Sequence, residues 1–261
     1  MSDAHGFRAP AAAYDRHIGR YGAVLARELI AAAGVRPGDR VLDVGSGPGA
    51  LAAELAAVTG AQRVAAVDPS PPFAAACAER VPGADVREAA AEALPFADGA
   101  FDGALCQLVV NFMADAPAGL AEMRRVVRPG GVVAAAVWDY ADGMTLLRRF
   151  WDAAAALDPE AAARDEGRTM RYCTPGSLEE LLDAAGLRAV AVTAVVVDAW
   201  YDGFDDLWAP LEAGVGPSGA YVAGLPDAMR ARLATRLQDR LGVADAPFQL
   251  DARAFVATGR V

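Results

Sequence analysis

Short apolar runs alternate with helical segments along the first 138 residues, and this rhythm constrains the fold more than any other feature. The runs lie at 40–44, 63–68, 84–89, 101–106 and 131–138. Strands that alternate with helices form βαβ units, so their sheet is parallel and covered on both faces. A further strand near 187–200 and a segment with period-two alternation near 248–261 can pair antiparallel at one edge. We therefore expect an α/β fold with a doubly wound, mostly parallel seven-stranded sheet and an antiparallel last strand.

The C-terminal half adds helical inserts to this pattern, with a polar, loop-like stretch expected at 164–173 and a helix at 227–241. We interpret residues 1–261 as a single domain, with 1–35 as an N-terminal helical lead-in and 198–247 as an insert between the last two strands. Such a sheet needs no fifty-residue insert there, and long insertions usually serve as lids or binding elements. We expect this insert to form a lid over the carboxyl ends of the strands, and its segment GVGPSGAY to be a flexible loop.

The composition excludes several classes of protein. A net charge of −10 argues against a nucleic-acid partner, because phosphate binding needs clustered cations. No apolar run reaches the roughly 18 residues of a membrane span, and no secretion signal is evident, so we expect a cytoplasmic protein without a membrane partner. The chain has no lysine, so it can form neither a Schiff base nor a P-loop. The three cysteines and two histidines fit no metal-binding spacing, so we expect no metal site.

A glycine-rich turn follows the first strand in the stretch VLDVGSGPGALAAEL, residues 41–55. Gly45, Gly47 and Gly49 carry no side chains that would block a ligand, and the helix after them directs backbone N–H groups at the turn. Asp68 ends the second strand, where its carboxylate can accept hydrogen bonds from two ribose hydroxyls. By spacing alone, this pattern also fits the fingerprint of an NAD-binding protein.

Two observations favour a cationic ligand over a dinucleotide. Asp43 lies two residues before the turn, where it would repel a pyrophosphate and attract an ammonium or sulfonium group. The residues of hydride transfer are also missing, since the chain has no Tyr-x-x-x-Lys pair and no histidine beyond His17.

Four motifs in one order, VLDVGSGPG, VDPS, ALPFADGAFDGALC and MRRVVRPGG, resemble the class I S-adenosylmethionine-dependent methyltransferases. The nearest branch is the small-molecule type 11 group, which is related to the ubiquinone and menaquinone biosynthesis methyltransferases. The resemblance covers residues 14–138 and continues more loosely through LEELLDAAGL. It implies a Rossmann-like methyltransferase fold, S-adenosylmethionine as cofactor and S-adenosylhomocysteine as product.

The resemblance also implies a set of cofactor-binding residues. The methionine part would contact Asp43 and the turn, and the ribose would contact Asp68. One departure is Ala90, where family members usually carry an aspartate that accepts from the adenine amino group. The residues implied to bind the cofactor are Tyr14, Arg20, Asp43, Gly45, Ser46, Gly47, Gly49, Asp68, Pro69, Ser70, Ala91, Glu92 and Gln107.

Methyl transfer is an in-line displacement, so the protein must align the acceptor and exclude water. A general base is needed only if the acceptor loses a proton, and His17 is the candidate. The resemblance implies a small-molecule acceptor that presents a hydroxyl, a carbon or another nucleophile, and we expect a monomer or homodimer. The predicted substrate-pocket residues are Asn111, Phe112, Trp138, Tyr201 and Trp208. Two alternatives stay open: a protein that binds S-adenosylmethionine without methylating, and an NAD-dependent oxidoreductase.

Overall fold

A seven-stranded sheet is the framework of the computed structural model, which describes residues 16–244 and 246–261. The strand order is β3-β2-β1-β4-β5-β7-β6. The strands are β1 (Val41–Val44), β2 (Val64–Asp68), β3 (Asp85–Glu88), β4 (Phe101–Gln107), β5 (Val127–Trp138), β6 (Arg188–Tyr201) and β7 (Phe248–Arg260).

The first five strands are parallel, and β7 runs antiparallel to β5. Strand β1 pairs with β2 on one side and with β4 on the other, so the chain changes direction across the sheet at β1. Open α/β sheets bind ligands at the carboxyl ends of the strands that flank such a switch point. This topology confirms the predicted doubly wound, mostly parallel sheet with an antiparallel last strand.

Helices connect the strands, and their starts follow local sequence signals. Thr174 caps its helix in a capping box with Ser177, and Pro175 occupies the first helical turn, as its fixed φ favours. The helices are α1 (Gly22–Ala33), α2 (Ala50–Thr59), α3 (Pro71–Arg80), α4 (Ala116–Val126), α5 (Thr145–Ala155), α6 (Glu166–Thr169), α7 (Pro175–Ala184), α8 (Phe204–Glu212), α9 (Gly216–Ala223) and α10 (Asp227–Leu241).

Two segments differ from the sequence-based expectation. The glycine-rich stretch expected to be a flexible loop contains helix α9, because the side chains of Ser218, Tyr221 and Val222 are buried and their packing outweighs the low helix propensity of glycine. The segment expected to be loop-like from residue 164 contains α6, whose first turn is capped by the Asp165 carboxylate accepting from the Gly167 N–H.

The chain divides into two compact units. The sheet unit comprises Gly22–Trp138, Arg171–Val195 and Ala254–Val261, and the described residues of the insert unit are 16–21, 139–170, 196–244 and 246–253. Strands β1 and β2 are buried along their whole length, so they form the centre of the sheet-unit core. Within the described part of the chain, no helix is long and apolar enough to cross a membrane.

Candidate functional site

The glycine-rich turn joins β1 to α2 at the switch point of the sheet unit. Gly45, Gly47 and Gly49 all have positive φ angles, of 72°, 52° and 92°. The Gly45 and Ser46 N–H groups both donate to the Val67 carbonyl, at 2.8 and 2.9 Å, and so tie the turn to β2. The N-cap residue of α2 is Gly49, which has no side chain to cap the helix, so this position leaves the first N–H groups of α2 open to a ligand.

The three glycines are needed for different reasons. A Cβ atom at Gly45 would lie 2.6 Å from both γ carbons of Val109, and one at Gly49 would lie 3.0 Å from the Cys77 Sγ. A Cβ at Gly47 would have no atom of the described chain within 4 Å. The space next to Gly47 is therefore open, whereas the other two glycines accommodate the protein's own side chains.

Asp68 has a structural role that the sequence analysis missed. Its Oδ2 accepts from the Gly47 N–H at 2.8 Å, and its Oδ1 accepts from the Ser70 N–H at 2.8 Å. Burial raises the pKa of this carboxyl, and the two N–H bonds oppose the rise. A carboxylate oxygen has two lone pairs, so each oxygen keeps one for a further donor. Asp68 can therefore shape the turn and still accept hydrogen bonds from a ligand.

Asp43 is a buried acid of the sheet unit with little compensation. It is 1% exposed, and in the described chain neither carboxylate oxygen has a partner within standard hydrogen-bond geometry. Burial raises its pKa to about 8, the charge of Asp68 adds to the rise, and the nearby Ala52 N–H counteracts it. A buried carboxyl without a partner is costly, and a bound cation would remove that cost.

The end of β4 contributes a second buried acceptor. The Gln107 Nε2 donates to the Gly22 carbonyl at 3.0 Å, which orients the amide and leaves its buried Oε1 without a partner in the described chain. Asp43 pairs in register with Leu105, so Gln107 lies two residues further along β4 than the residue opposite Asp43. Both acceptors therefore lie near the carboxyl ends of neighbouring strands.

The other predicted residues of the sheet unit have varied surroundings. Ala91 is buried, and the Glu92 Oε1 accepts from the Asp115 N–H at 3.1 Å. Asn111 is buried and Phe112 half-buried in the turn after β4, and Trp138 is buried at the end of β5. Pro69 is exposed, Ser70 is half-buried and Ser46 is 7% exposed around the turn.

Four predicted residues lie in the insert unit, and Tyr14 lies outside the described residues. The Arg20 guanidinium is held by Asp206, with Nη1–Oδ2 and Nη2–Oδ1 distances of 3.0 and 3.2 Å, and it lies 4.0 Å from the Tyr201 ring centroid. Tyr201 is buried, and Trp208 stacks on Phe204 with ring centroids 6.0 Å apart. The Arg20 N–H groups also donate to the Arg16 and Trp200 carbonyls, so Arg20 could contact a cofactor carboxylate only by giving up one of these acceptors, and that role stays a prediction.

His17 is 3% exposed in the insert unit. Burial and the nearby charge of Arg20 lower its pKa to about 4. The imidazole is therefore neutral at pH 7 and can accept a proton, but it is a weak base. Its catalytic role stays a prediction.

Among the described residues, no three His, Cys, Asp or Glu side chains come together as a metal-binding group. The chemistry of the sheet-unit site depends instead on the open space beside Gly47, the Asp68 carboxylate and the unpartnered oxygens of Asp43 and Gln107. This set fits a ligand that carries hydroxyl donors and a positive charge, as S-adenosylmethionine does.

Comparison with known proteins relates part of the sheet unit to a protein family. Residues 42–135 match the family model of a methyltransferase domain. This segment is a methyltransferase domain of the type 11 family. It contains the glycine-rich turn, Asp43, Asp68 and Gln107, together with most of β1 and β5 and all of β2, β3 and β4.

Among curated relatives, a demethylmenaquinone methyltransferase of Mycobacterium sp. (strain KMS) is 46% identical over 107 residues, which are 40% of this chain and 44% of that protein. An uncharacterised protein of Mycobacterium tuberculosis (strain H37Rv) is 41% identical over 114 residues, which are 42% of this chain and 41% of that protein. The chain thus spans less than half the length of the curated relatives it matches.

Three solved structures share the fold. A protein of Anaeromyxobacter dehalogenans has a TM-score of 0.62 and 23% identity, over 92% of this chain and 97% of that one. Phosphoethanolamine N-methyltransferase 2 of Haemonchus contortus, solved with S-adenosylhomocysteine, has a TM-score of 0.57 and 18% identity, over 91% and 52%. The [4+2]-cyclase SpnF has a TM-score of 0.53 and 21% identity, over 91% and 80%. At these identities the likeness shows the fold alone.

Proposed function

We propose that this protein transfers a methyl group from S-adenosylmethionine to a small-molecule acceptor by in-line displacement. When bound, S-adenosylmethionine supplies a methyl group on a positively charged sulfur. The sulfur-containing remainder of the molecule is the leaving group, and it departs as a neutral thioether. The chain therefore needs no covalent nucleophile of its own, and its residues bind, orient and exclude water.

Asp43 carries this proposal. Its carboxyl is buried in the sheet unit and has a pKa of about 8. In the described chain it has no partner within standard hydrogen-bond geometry, and the nearby Ala52 N–H offsets its burial only in part. A pyrophosphate at this turn would lie beside a buried acid, whereas a cationic ligand would supply the missing charge. The same observation argues against the alternative of an NAD-dependent oxidoreductase.

The other residues of the sheet unit have complementary roles in the proposal. Asp68 keeps one lone pair on each oxygen for the ribose hydroxyls while it holds Gly47 and Ser70. The Gln107 Oε1 accepts from the ammonium group of the methionine part, because its Nε2 is already bonded to Gly22. The open space beside Gly47 admits the ligand backbone.

The acceptor is constrained by the available bases. His17, the predicted general base, has a pKa of about 4, which suits it poorly to deprotonating an alcohol. We therefore favour an acceptor that is already nucleophilic at neutral pH, such as an activated carbon, a phenolate-like oxygen or a thiolate. A second candidate function is binding of S-adenosylmethionine for another reaction, and the [4+2]-cyclase of the same fold is the observation that favours it.

The experiment is an incubation of the purified protein with methyl-labelled S-adenosylmethionine and small-molecule extracts, followed by mass spectrometry. Labelled product that appears together with S-adenosylhomocysteine supports methyl transfer. Tight cofactor binding with no labelled product from any fraction supports the second candidate. Absence of binding contradicts both.

A further inference from the structure

Val109 fills the space that a side chain at Gly45 would need. The two γ carbons of Val109 lie 2.6 Å, and its Cβ lies 3.1 Å, from the position of a Cβ built on Gly45. Distances below about 3.0 Å do not occur between real atoms of this kind, so the valine side chain is packed directly against the turn backbone. Val109 is itself half-buried.

Leu108 directs Val109 to this position. It has a φ of 63°, one of three positive values among the described non-glycine residues. Its N–H donates to the Ala136 carbonyl at 2.7 Å, which continues the β4–β5 pairing by one residue before the chain turns away. Left-handed backbone is unfavourable for leucine, and such strain persists only where the surroundings hold it.

The chain after Val109 is also fixed. The Phe112 and Met113 N–H groups both donate to the Val109 carbonyl, at 2.8 and 3.2 Å. Leu108 is 8% exposed, so its side chain is anchored as well. The valine therefore lies on a short segment held on both sides.

We propose that Val109 is a positioning residue for the cofactor turn, held in place by the left-handed backbone of Leu108. It contacts Gly45 and keeps the turn in the shape that leaves Gly47 open and lets the Gly47 N–H reach Asp68. The effect on affinity rests on the proposed binding of S-adenosylmethionine, whereas the effect on the turn does not.

The test combines hydrogen exchange of the ligand-free protein with calorimetric titration of S-adenosylmethionine. For Val109→Ala we expect about tenfold or more faster exchange at residues 45–49 and about tenfold weaker binding, because the turn loses its packing partner. The matched control is Val110→Ala, which truncates the fully buried neighbour. It should lower the melting temperature more than Val109→Ala, yet leave the exchange of the turn and the affinity near wild type.

Backbone variants test the role of Leu108. Leu108→Asn should retain more binding than the β-branched Leu108→Val, because asparagine tolerates left-handed backbone and valine does not, although both variants lose part of the buried leucine packing. Gly45→Ala should weaken binding strongly, and adding Val109→Ala should restore part of it, because the two clashing γ carbons are removed while the Val109 Cβ and the positive φ of residue 45 remain.

Unchanged exchange in Val109→Ala, or an equal effect from Val110→Ala, would overturn the proposal. If the wild type does not bind S-adenosylmethionine, the proposed function fails, and the exchange comparison still decides the role of Val109.

Discussion

The ionisation of one buried residue, Asp43, should make ligand binding depend on pH. Its pKa of about 8 means that the ligand-free protein holds a proton there at pH 7, whereas a bound cation favours the carboxylate. Binding should therefore release a proton below pH 8, and affinity should rise with pH up to about 8 and then level off. Calorimetry in buffers of different ionisation enthalpy measures the released proton. Asp43→Asn should abolish the release and weaken binding, and an unchanged release in this variant would show that another group titrates.

Asp68 gives a second prediction at this scale. In Asp68→Asn the amide nitrogen must face either the Gly47 or the Ser70 N–H, so one donor loses its acceptor. We expect S-adenosylmethionine affinity to fall by about 2 kcal/mol and the melting temperature to fall as well. Asp85→Asn, at an exposed acid on β3, is the control that should change neither. Wild-type affinity in a folded Asp68→Asn protein would remove Asp68 from the site.

The sequence predicts individual site residues only in part. A strand followed by glycines and a helix start is a recognisable pattern, so the sequence identifies Asp43, Asp68 and the turn glycines as candidates, and their binding roles stay predictions. The dual role of Asp68 and the packing of Val109 on Gly45 were missed. The left-handed backbone of Leu108 cannot be predicted from the sequence, because tertiary contacts impose it.

At the scale of elements, strands were easier to predict than the insert helices. The apolar runs of β1 and β2 are buried on both faces, and short continuous runs of this kind predict strands of a parallel sheet. Helix α10 was predicted with its observed bounds, because its apolar positions have helical spacing. Helix α9 was missed because its glycines suggest a loop, and only the burial of Tyr221 and Val222 makes it a helix.

The capping box of α7 gives a prediction about one element. The Thr174 hydroxyl and Ser177 satisfy two N–H groups at the start of this helix. Thr174→Ala should lower the free energy of unfolding by about 1 kcal/mol, which chemical denaturation can measure. Thr193→Ala, at an exposed threonine of β6, serves as the control. Equal effects of the two changes would mean that the cap contributes nothing specific.

At the scale of the whole molecule, two buried acids should make stability depend on pH. Glu166 is 2% exposed and its Oε2 accepts from the Trp151 Nε1, yet burial raises its pKa to about 7. The unfolded chain ionises this group near pH 4.5, so the folded state loses stability as pH rises from about 4.5 to 7. The raised pKa of Asp43 acts in the same direction and lowers the stability of the folded state as pH rises from about 4 to 8.

Glu166→Gln tests this dependence, because glutamine keeps an acceptor for Trp151 and cannot ionise. The wild type should lose on the order of 3 kcal/mol of stability from this group across that window, and the variant should not. Melting temperatures at pH 5 and pH 8 measure the difference. Identical pH profiles for the two proteins would mean that Glu166 keeps an ordinary pKa in the folded state.

The most direct test of the central claim is a calorimetric titration of the purified protein at pH 7 with S-adenosylmethionine and, separately, with NAD. The unpartnered Asp43 carboxyl and the open space beside Gly47 predict binding of S-adenosylmethionine with release of a proton, and much weaker binding of NAD. Preferential binding of NAD, or no binding of S-adenosylmethionine, would contradict the account.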